Sequence, residues 1–225
     1  MSVAPHFADR ADAGRRLAAA ITGSGWAAAP HEEAPAPEAG LGREPSAGVV
    51  VLGLARGGIP VAAEVADALG ARLDVLVVRK VGHPRQPEYA LGAVSEDGVV
   101  LPEGLAPDAV SEQLDQASRQ AGALRGDRAP EPLRGRTAIV VDDGLATGRS
   151  MAAALATVRQ RGAARVAVAV PVAAGPAFRL LEEAGFEAHS VGVVEPPDFF
   201  AVGQFYDDFR QVTDEEAAAL LSARA

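Results

Sequence analysis

The sequence predicts an α/β fold: an open, mainly parallel, twisted sheet flanked by helices. Three observations carry that expectation. Short apolar runs rich in Val, Leu and Ala recur at 49–52, 73–78, 137–141, 165–172 and 189–194, the pattern of strands buried on both faces. Between them lie stretches whose apolar residues step at helical spacing. Two of the strands end in glycine-bearing turns that open directly into helices, as crossover connections do, and ligands of such sheets gather beyond the strands' carboxyl ends.

Bulk properties narrow the function classes. A chain of 225 residues suits one ordinary domain plus an appendage. A net charge of −9 argues against nucleic acid or an anionic membrane as the main partner, so an anionic substrate would need a local basic patch. The absence of cysteine excludes disulfides, thiolate zinc and thiol nucleophiles. No apolar run approaches membrane-spanning length and the N-terminus shows no charged-then-apolar leader, so a cytoplasmic location is expected.

In chain order, residues 1–24 carry Phe7, Ala11, Gly14, Leu17, Ala18 and Ile21 at helical spacing, which predicts a helix over roughly 8–22 packed on the core. Its charged residues, Arg10 among them, fall mostly off that stripe. Residues 25–47 are rich in Ala, Pro and Glu without periodicity and read as a mobile linker. The main domain occupies 48–225. Its first strand, 49–52, runs into Gly53-Leu54-Ala55-Arg56-Gly57-Gly58, and Pro60 opens a helix. The glycine spacing matches neither a Walker A loop nor a dinucleotide fingerprint.

The next strand, 73–78, leads into a loop at 79–95 where Arg79, Lys80, His83 and Arg85 crowd together in an otherwise acidic protein. A short edge strand at 99–101 precedes a helix from Pro107 to Arg125, followed by a Pro/Arg/Gly connector. After the strand 137–141 and its loop, a helix starts at Met151 and ends near Gly162. The strand 165–172 is expected to end at Pro171, next to the site. A helix at 177–185 and a strand at 189–194 complete the sheet. Residues 195–210 then gather Phe199, Phe200, Phe205, Tyr206 and Phe209. Two readings stay open there: a satellite core, or a hood whose Phe199 and Tyr206 stack on a flat ring.

The most informative stretch is 137–151. Its buried strand ends in Asp142 and Asp143, followed by Gly144, Leu145, Ala146, Thr147, Gly148, Arg149 and Ser150 and then a helix. Backbone N–H groups of such a turn, aided by the helix dipole and the Thr147 and Ser150 hydroxyls, suit a phosphate. Two carboxylates beside them are acceptors for vicinal sugar hydroxyls.

That stretch resembles the fingerprint by which type I phosphoribosyltransferases bind phosphoribosyl pyrophosphate (PRPP), and the resemblance extends over about 48–210. It implies that Asp142 and Asp143 hold the ribose hydroxyls and that Gly144–Ser150 hold the 5′-phosphate. Gly53–Gly58 is similar to the family's pyrophosphate loop, with Arg56 and the Gly57 and Gly58 amides on the leaving group and Ala55–Arg56 as the candidate cis peptide. The 79–95 stretch is similar to the mobile catalytic loop, with Arg79 and Lys80 in the adenine-type pattern and His83 beside them. Glu88 and Glu96 are the nearest carboxylates for a proton from the acceptor.

The resemblance further implies Mg²⁺ held mostly by water and substrate, with Asp142 and Asp143 reaching it indirectly, and a homodimer. Ala146 stands where hypoxanthine–guanine members carry an Asp, which shifts the expectation toward other acceptors. The implied activity is transfer of 5-phosphoribosyl from PRPP to a nitrogenous, nucleobase-like acceptor with release of pyrophosphate. The alternatives are a non-catalytic sensor of PRPP or nucleotides with the same fold, and a phosphosugar hydrolase, for which no second carboxylate set is evident.

Overall fold

Five of the apolar runs pair side by side as parallel strands, each half of their alternating side chains packed under a different layer of helices. The structure, a computed structural model, describes residues 4–24, 48–83, 86–102, 104–195 and 198–224, with the backbone alone at 86–90. The expected linker at 25–47 and the Glu88 side chain lie outside the described residues. Along the chain come α1 (Arg10–Gly23), β1 (Val49–Leu54), α2 (Gly58–Leu69), β2 (Arg72–Leu76), β3 (Val78–His83), β4 (Gln86–Ser95), β5 (Val100–Leu101) and α3 (Pro107–Arg125). There follow β6 (Thr137–Val141), α4 (Arg149–Gln160), β7 (Arg165–Ala174), α5 (Gly175–Glu183), β8 (Glu187–Val194), a 3-10 turn at Val202–Phe205 and α6 (Asp214–Ser222).

The main sheet has the order β2-β1-β6-β7-β8, all parallel. On one face Val51, Ile139, Val141 and Ala169 pack with α1, α2, α3 and α6. On the other, Val50, Leu52, Val140 and Val168 pack with α4 and α5. The chain leaves β1 sideways to β2 through α2, then resumes on the opposite side of β1 at β6. The strand order therefore reverses between β1 and β6, and the loops leaving those two strands diverge to opposite faces. A crevice opens at such a switch point, and ligands of open α/β sheets bind there.

Some boundaries differ from the sequence expectation for local reasons. β7 continues through Pro171 to Ala174. Its neighbour β6 ends with Val141 opposite Ala169, so the proline's missing N–H costs no ladder bond on that side. The helix expected from Pro60 starts at Gly58, and the one expected from Met151 starts at Arg149. The strand expected over 73–78 stops at Leu76, and Val78 opens a second, antiparallel sheet of order β3-β4-β5. The basic stretch expected to be a loop is thus largely a hairpin. Val81, Ala93 and Val94 are buried along it, while the Arg, Lys, Gly and Pro between them hide the strand pattern in the sequence.

A buried ion cluster fastens the base of that hairpin. Arg125 Nε donates to Asp74 Oδ1 at 2.8 Å, and Arg125 Nη2 lies 2.7 Å from Glu96 Oε1. Arg161 reaches the same Glu96 oxygen at 2.7 Å and Asp97 Oδ2 at 2.7 Å. Glu96 Oε2 accepts from the Val77 N–H and Asp74 Oδ2 from the Glu131 N–H, both at 3.0 Å. A third, smaller core joins Phe7 and Ala13 of the N-terminal segment to Val172, Val194, Phe205 and Tyr206.

Candidate functional site

The loops leaving β1 and β6 interlock, and glycine is what lets them. A Cβ on Gly57 would lie 2.1 Å from Asp143 Oδ2, and one on Gly58 would lie 2.5 Å from the Val141 carbonyl oxygen. Neither position accepts a side chain without moving backbone or the acid itself. The Ala55–Arg56 peptide is cis, at the position the sequence singled out. The Ala55 N–H donates to Leu76 O at 3.1 Å and so keeps this turn on the sheet edge.

The acid pair sits across this junction. Asp142 Oδ1 accepts from the Asp143 N–H at 2.9 Å. Asp143 Oδ2 accepts from Arg10 Nε at 2.8 Å, and Arg10 Nη2 lies 2.8 Å from the same oxygen. The Tyr206 hydroxyl donates to the Asp143 carbonyl at 2.6 Å. Burial, then the charge of Asp143, pushes Asp142 well above the usual carboxylate range, against the Asp143 N–H, Arg10 and Lys80. Burial raises Asp143 as well, and the opposing Arg10 charge and hydrogen bond do not fully offset it. Burial also pushes the Tyr206 phenol up, so it remains a donor across the working pH range. The pair is short of donors, as an enclosed site made for hydroxyl ligands would be.

The turn that follows is anchored at its middle and open at its end. Leu145 is buried, its N–H donating to Val172 O at 2.9 Å and its carbonyl accepting from Ala174 N at 2.8 Å. Gly144 lies under the 3-10 turn, where a Cβ would meet Val202 Cγ1 at 2.4 Å. Ala146, Thr147 and Arg149 are exposed, and Gly148 adopts the left-handed conformation (φ 74°) before α4. No side chain caps α4 at its Gly148 start, and the N–H groups of a helix's first turn are where anions bind.

Beside the acid pair lies a cavity of about 720 Å³, whose lining includes Arg10, Arg56, Arg79, Lys80, Asp143 and Phe209. Four cations around one carboxylate make it a basic pocket in an acidic protein. Arg56 lies 3.5 Å from Asp214 Oδ1 at the start of α6. Arg79 donates to Gln113 Oε1 at 3.0 Å and Gln120 Oε1 at 3.4 Å. Of the residues singled out from sequence, Arg56, Gly57, Arg79, Lys80 and Asp143 line this cavity. Gly58 and Asp142 pack against each other without lining it, and Gly144–Ser150 form the turn that follows the acids.

Three expectations need correction or relocation. Glu96 cannot serve an acceptor as a base, because its carboxylate is buried between Arg125 and Arg161 and holds the Val77 N–H. Tyr206 is not a stacking ring: it is buried between Phe7 and Phe209, with centroids at 5.2 and 4.9 Å, and its hydroxyl is committed to Asp143. His83 pairs with Gln86 at the far end of the hairpin, away from the cavity lining. Phe199 packs half-buried on Phe205 at 5.3 Å, so the aromatic cluster is chiefly a satellite core.

Sequence reasoning missed Arg10, noted there only as a charge off the apolar stripe of its helix, and Asp214 beside Arg56. Neither carries a local motif. Among the described residues no three His, Asp or Glu side chains converge as a metal cage, and no helix is long and apolar enough to cross a membrane.

The family model for the phosphoribosyl transferase domain matches residues 41–197. A Mycobacterium tuberculosis H37Rv protein carrying the name "Putative phosphoribosyl transferase Rv0571c" is 44% identical over 226 residues, 96% of this chain. The chain spans about half the length (46%) of that curated relative. The crystal structure of TT1426 from Thermus thermophilus is 43% identical, with a TM-score of 0.75, covering 98% of this chain and 99% of that one. A Neisseria gonorrhoeae hypothetical protein, solved with bound ppGpp, shares the fold at 16% identity and a TM-score of 0.54, covering 99% of both chains.

Proposed function

The chain belongs to the phosphoribosyl transferase family, and from that premise we propose that it transfers the 5-phosphoribosyl group of PRPP to a nitrogenous, nucleobase-like acceptor. The observation that carries this reading is the interlocked pair of loops at the switch point. They set the acid pair, the uncapped start of α4 and the basic cavity side by side. In this reading Asp142 and Asp143 accept from the ribose hydroxyls. Gly144–Ser150 surround the 5′-phosphate with N–H and hydroxyl donors. Arg56, the Gly57 and Gly58 amides, Arg79 and Lys80 bind the pyrophosphate.

The bond from the anomeric carbon to pyrophosphate breaks, its electrons leaving with the phosphate oxygen, while an acceptor nitrogen supplies its lone pair to the same carbon and sheds its proton to water. Cations gathered around the departing oxygens stabilise charge where it develops, and the acids hold the ring for attack. No protein nucleophile is needed. Phe199, half-buried against Phe205, is the remaining candidate for the wall of the acceptor subsite.

The donor set fits Mg²⁺ of one kind only. Two adjacent carboxylates, one already engaged by Arg10, suit an ion that keeps its waters and takes substrate oxygens. When bound, that ion would supply further positive charge to the pyrophosphate and ribose oxygens. A cytoplasmic homodimer completes the reading, resting on the sequence features above and on the family resemblance.

The test is pyrophosphate release from PRPP across a panel of nucleobases. Release with one of them supports the transferase. Saturable PRPP binding with no turnover on any acceptor favours the sensor reading, and absence of PRPP binding overturns both.

A further inference from the structure

The N-terminal segment lies outside the matched family range, yet it reaches the acid pair by two separate routes. Phe7, with no exposed surface, packs on Tyr206, whose hydroxyl holds the Asp143 backbone carbonyl. Three residues on, Arg10 holds the Asp143 carboxylate. The local sequence is shaped to deliver that arginine. Asp9 caps α1 by accepting from the Asp12 N–H at 2.7 Å, which starts the helix at Arg10. Gly14 then lets α1 press on α2, since a Cβ there would lie 2.8 Å from the Val61 carbonyl oxygen.

Arg10 itself is held on every side. Nε and Nη2 converge on Asp143 Oδ2, Nη1 donates to the Arg210 carbonyl at 2.8 Å, and the guanidinium lies 4.0 Å over the Phe209 ring. Its side chain is only 11% exposed, and it lines the basic cavity. Docking α1 does not need this contact, because Leu17, Ala18 and Ile21 already bury the helix in the main core. An ion pair as enclosed as this one is a poor way to add stability, since removing both charges from water costs as much as their attraction returns. Both nitrogens use one carboxylate oxygen, and Asp143 Oδ1 takes no side-chain donor among the described residues. That oxygen is left for a ligand.

We propose that Arg10 is a positioning residue of the site: its guanidinium fork, seated on Phe209 and the Arg210 carbonyl, turns the Asp143 carboxylate so that its second oxygen meets the ribose of PRPP. The proposal rests on the transferase reading for the identity of that ligand. Arginine suits the task because its fork is planar and pre-organised, whereas a lysine supplies a point charge without orientation. The N-terminal helix is therefore part of the sugar subsite, and Phe209 and Arg210 act on the sugar through it.

The test compares two ligands by calorimetry on the full chain. PRPP uses the sugar subsite, whereas inorganic pyrophosphate uses only the basic cavity. For Arg10→Gln, PRPP affinity is expected to fall about tenfold or more, the loss that follows when a charged hydrogen-bond partner is removed. Pyrophosphate affinity should fall clearly less, because Arg56, Arg79 and Lys80 remain in the cavity that Arg10 also lines. Arg10→Lys, which keeps the charge and preserves folding if Arg10→Gln does not, should show the same split with a smaller loss of PRPP affinity. Unchanged PRPP affinity in the folded variants, or a parallel loss of both ligands, overturns the proposal. Failure of the unsubstituted protein to bind PRPP instead overturns the transferase reading on which it rests.

Discussion

The molecule holds two clusters of carboxylates facing arginines, and they are built to opposite ends. At the base of the hairpin Asp74, Glu96 and Asp97 meet Arg125 and Arg161, and backbone N–H groups take up further oxygens. At the switch point Asp142 and Asp143 share Arg10 and one N–H, and burial pushes both carboxyls upward. In the first cluster every carboxylate oxygen already holds a donor, so its acids have nothing left to offer a ligand. The second is undersupplied with donors and faces an open basic cavity. Distinguishing a structural acid from a binding acid here depends on counting donors, because both sets are enclosed.

The largest expected effect breaks the satisfied cluster. Glu96→Ala leaves Arg125 and Arg161 without a shared partner in a buried setting and should cost about 3–5 kcal/mol of folding stability, read by urea denaturation. A loss under about 1 kcal/mol would mean that water replaces the carboxylate there.

Asp142→Asn with Asp143→Asn should act the other way. Phosphoribosyl transfer is expected to drop at least about tenfold in kcat/KM, or about 1.4 kcal/mol, while folding stability falls less than for Glu96→Ala, because relief of two upward-shifted carboxyls offsets the lost partner of Arg10. The pH dependence sharpens the contrast. Folded-state pKa values raised above the unfolded ones give stability that is fully present below the usual Asp value and lost as pH rises through the raised values. Thermal midpoints of the natural protein should therefore decline over that window, and the double Asn variant should lack this decline.

A smaller effect is expected of Tyr206→Phe, which removes the donor to the Asp143 carbonyl and keeps the ring packing. About 1 kcal/mol of stability should go, with weaker PRPP binding alongside. Least of all is expected of Glu195→Ala, whose pairing with Arg179 lies at the solvent-exposed surface, so its thermal midpoint should not move measurably.

The readable parts of this protein are those encoded by neighbouring residues. The helix Pro107–Arg125 and the strand Thr137–Val141 follow directly from the spacing of their apolar residues. The acid pair and its glycine turn are contiguous in the chain, so they can be picked out before any contact is known, and the cis Ala55–Arg56 peptide follows the family resemblance of its loop. Glu96 is illegible in the sequence because its fate is set by Arg125 and Arg161, which no local pattern links to it. The hairpin is illegible because its buried face alternates with arginine, lysine and glycine that mask the period of two.

Sequence alone determined the α/β class, the strands and the pair of glycine-bearing turns at their ends, since backbone preference and side-chain periodicity act over a few residues. Only the tertiary structure decided which acid is satisfied, that Tyr206 is a support and not a platform, and that Arg10 reaches Asp143 across 133 positions of chain. Those outcomes depend on which distant elements share a face and on how many donors each buried oxygen receives, and neither quantity exists until the layers have packed.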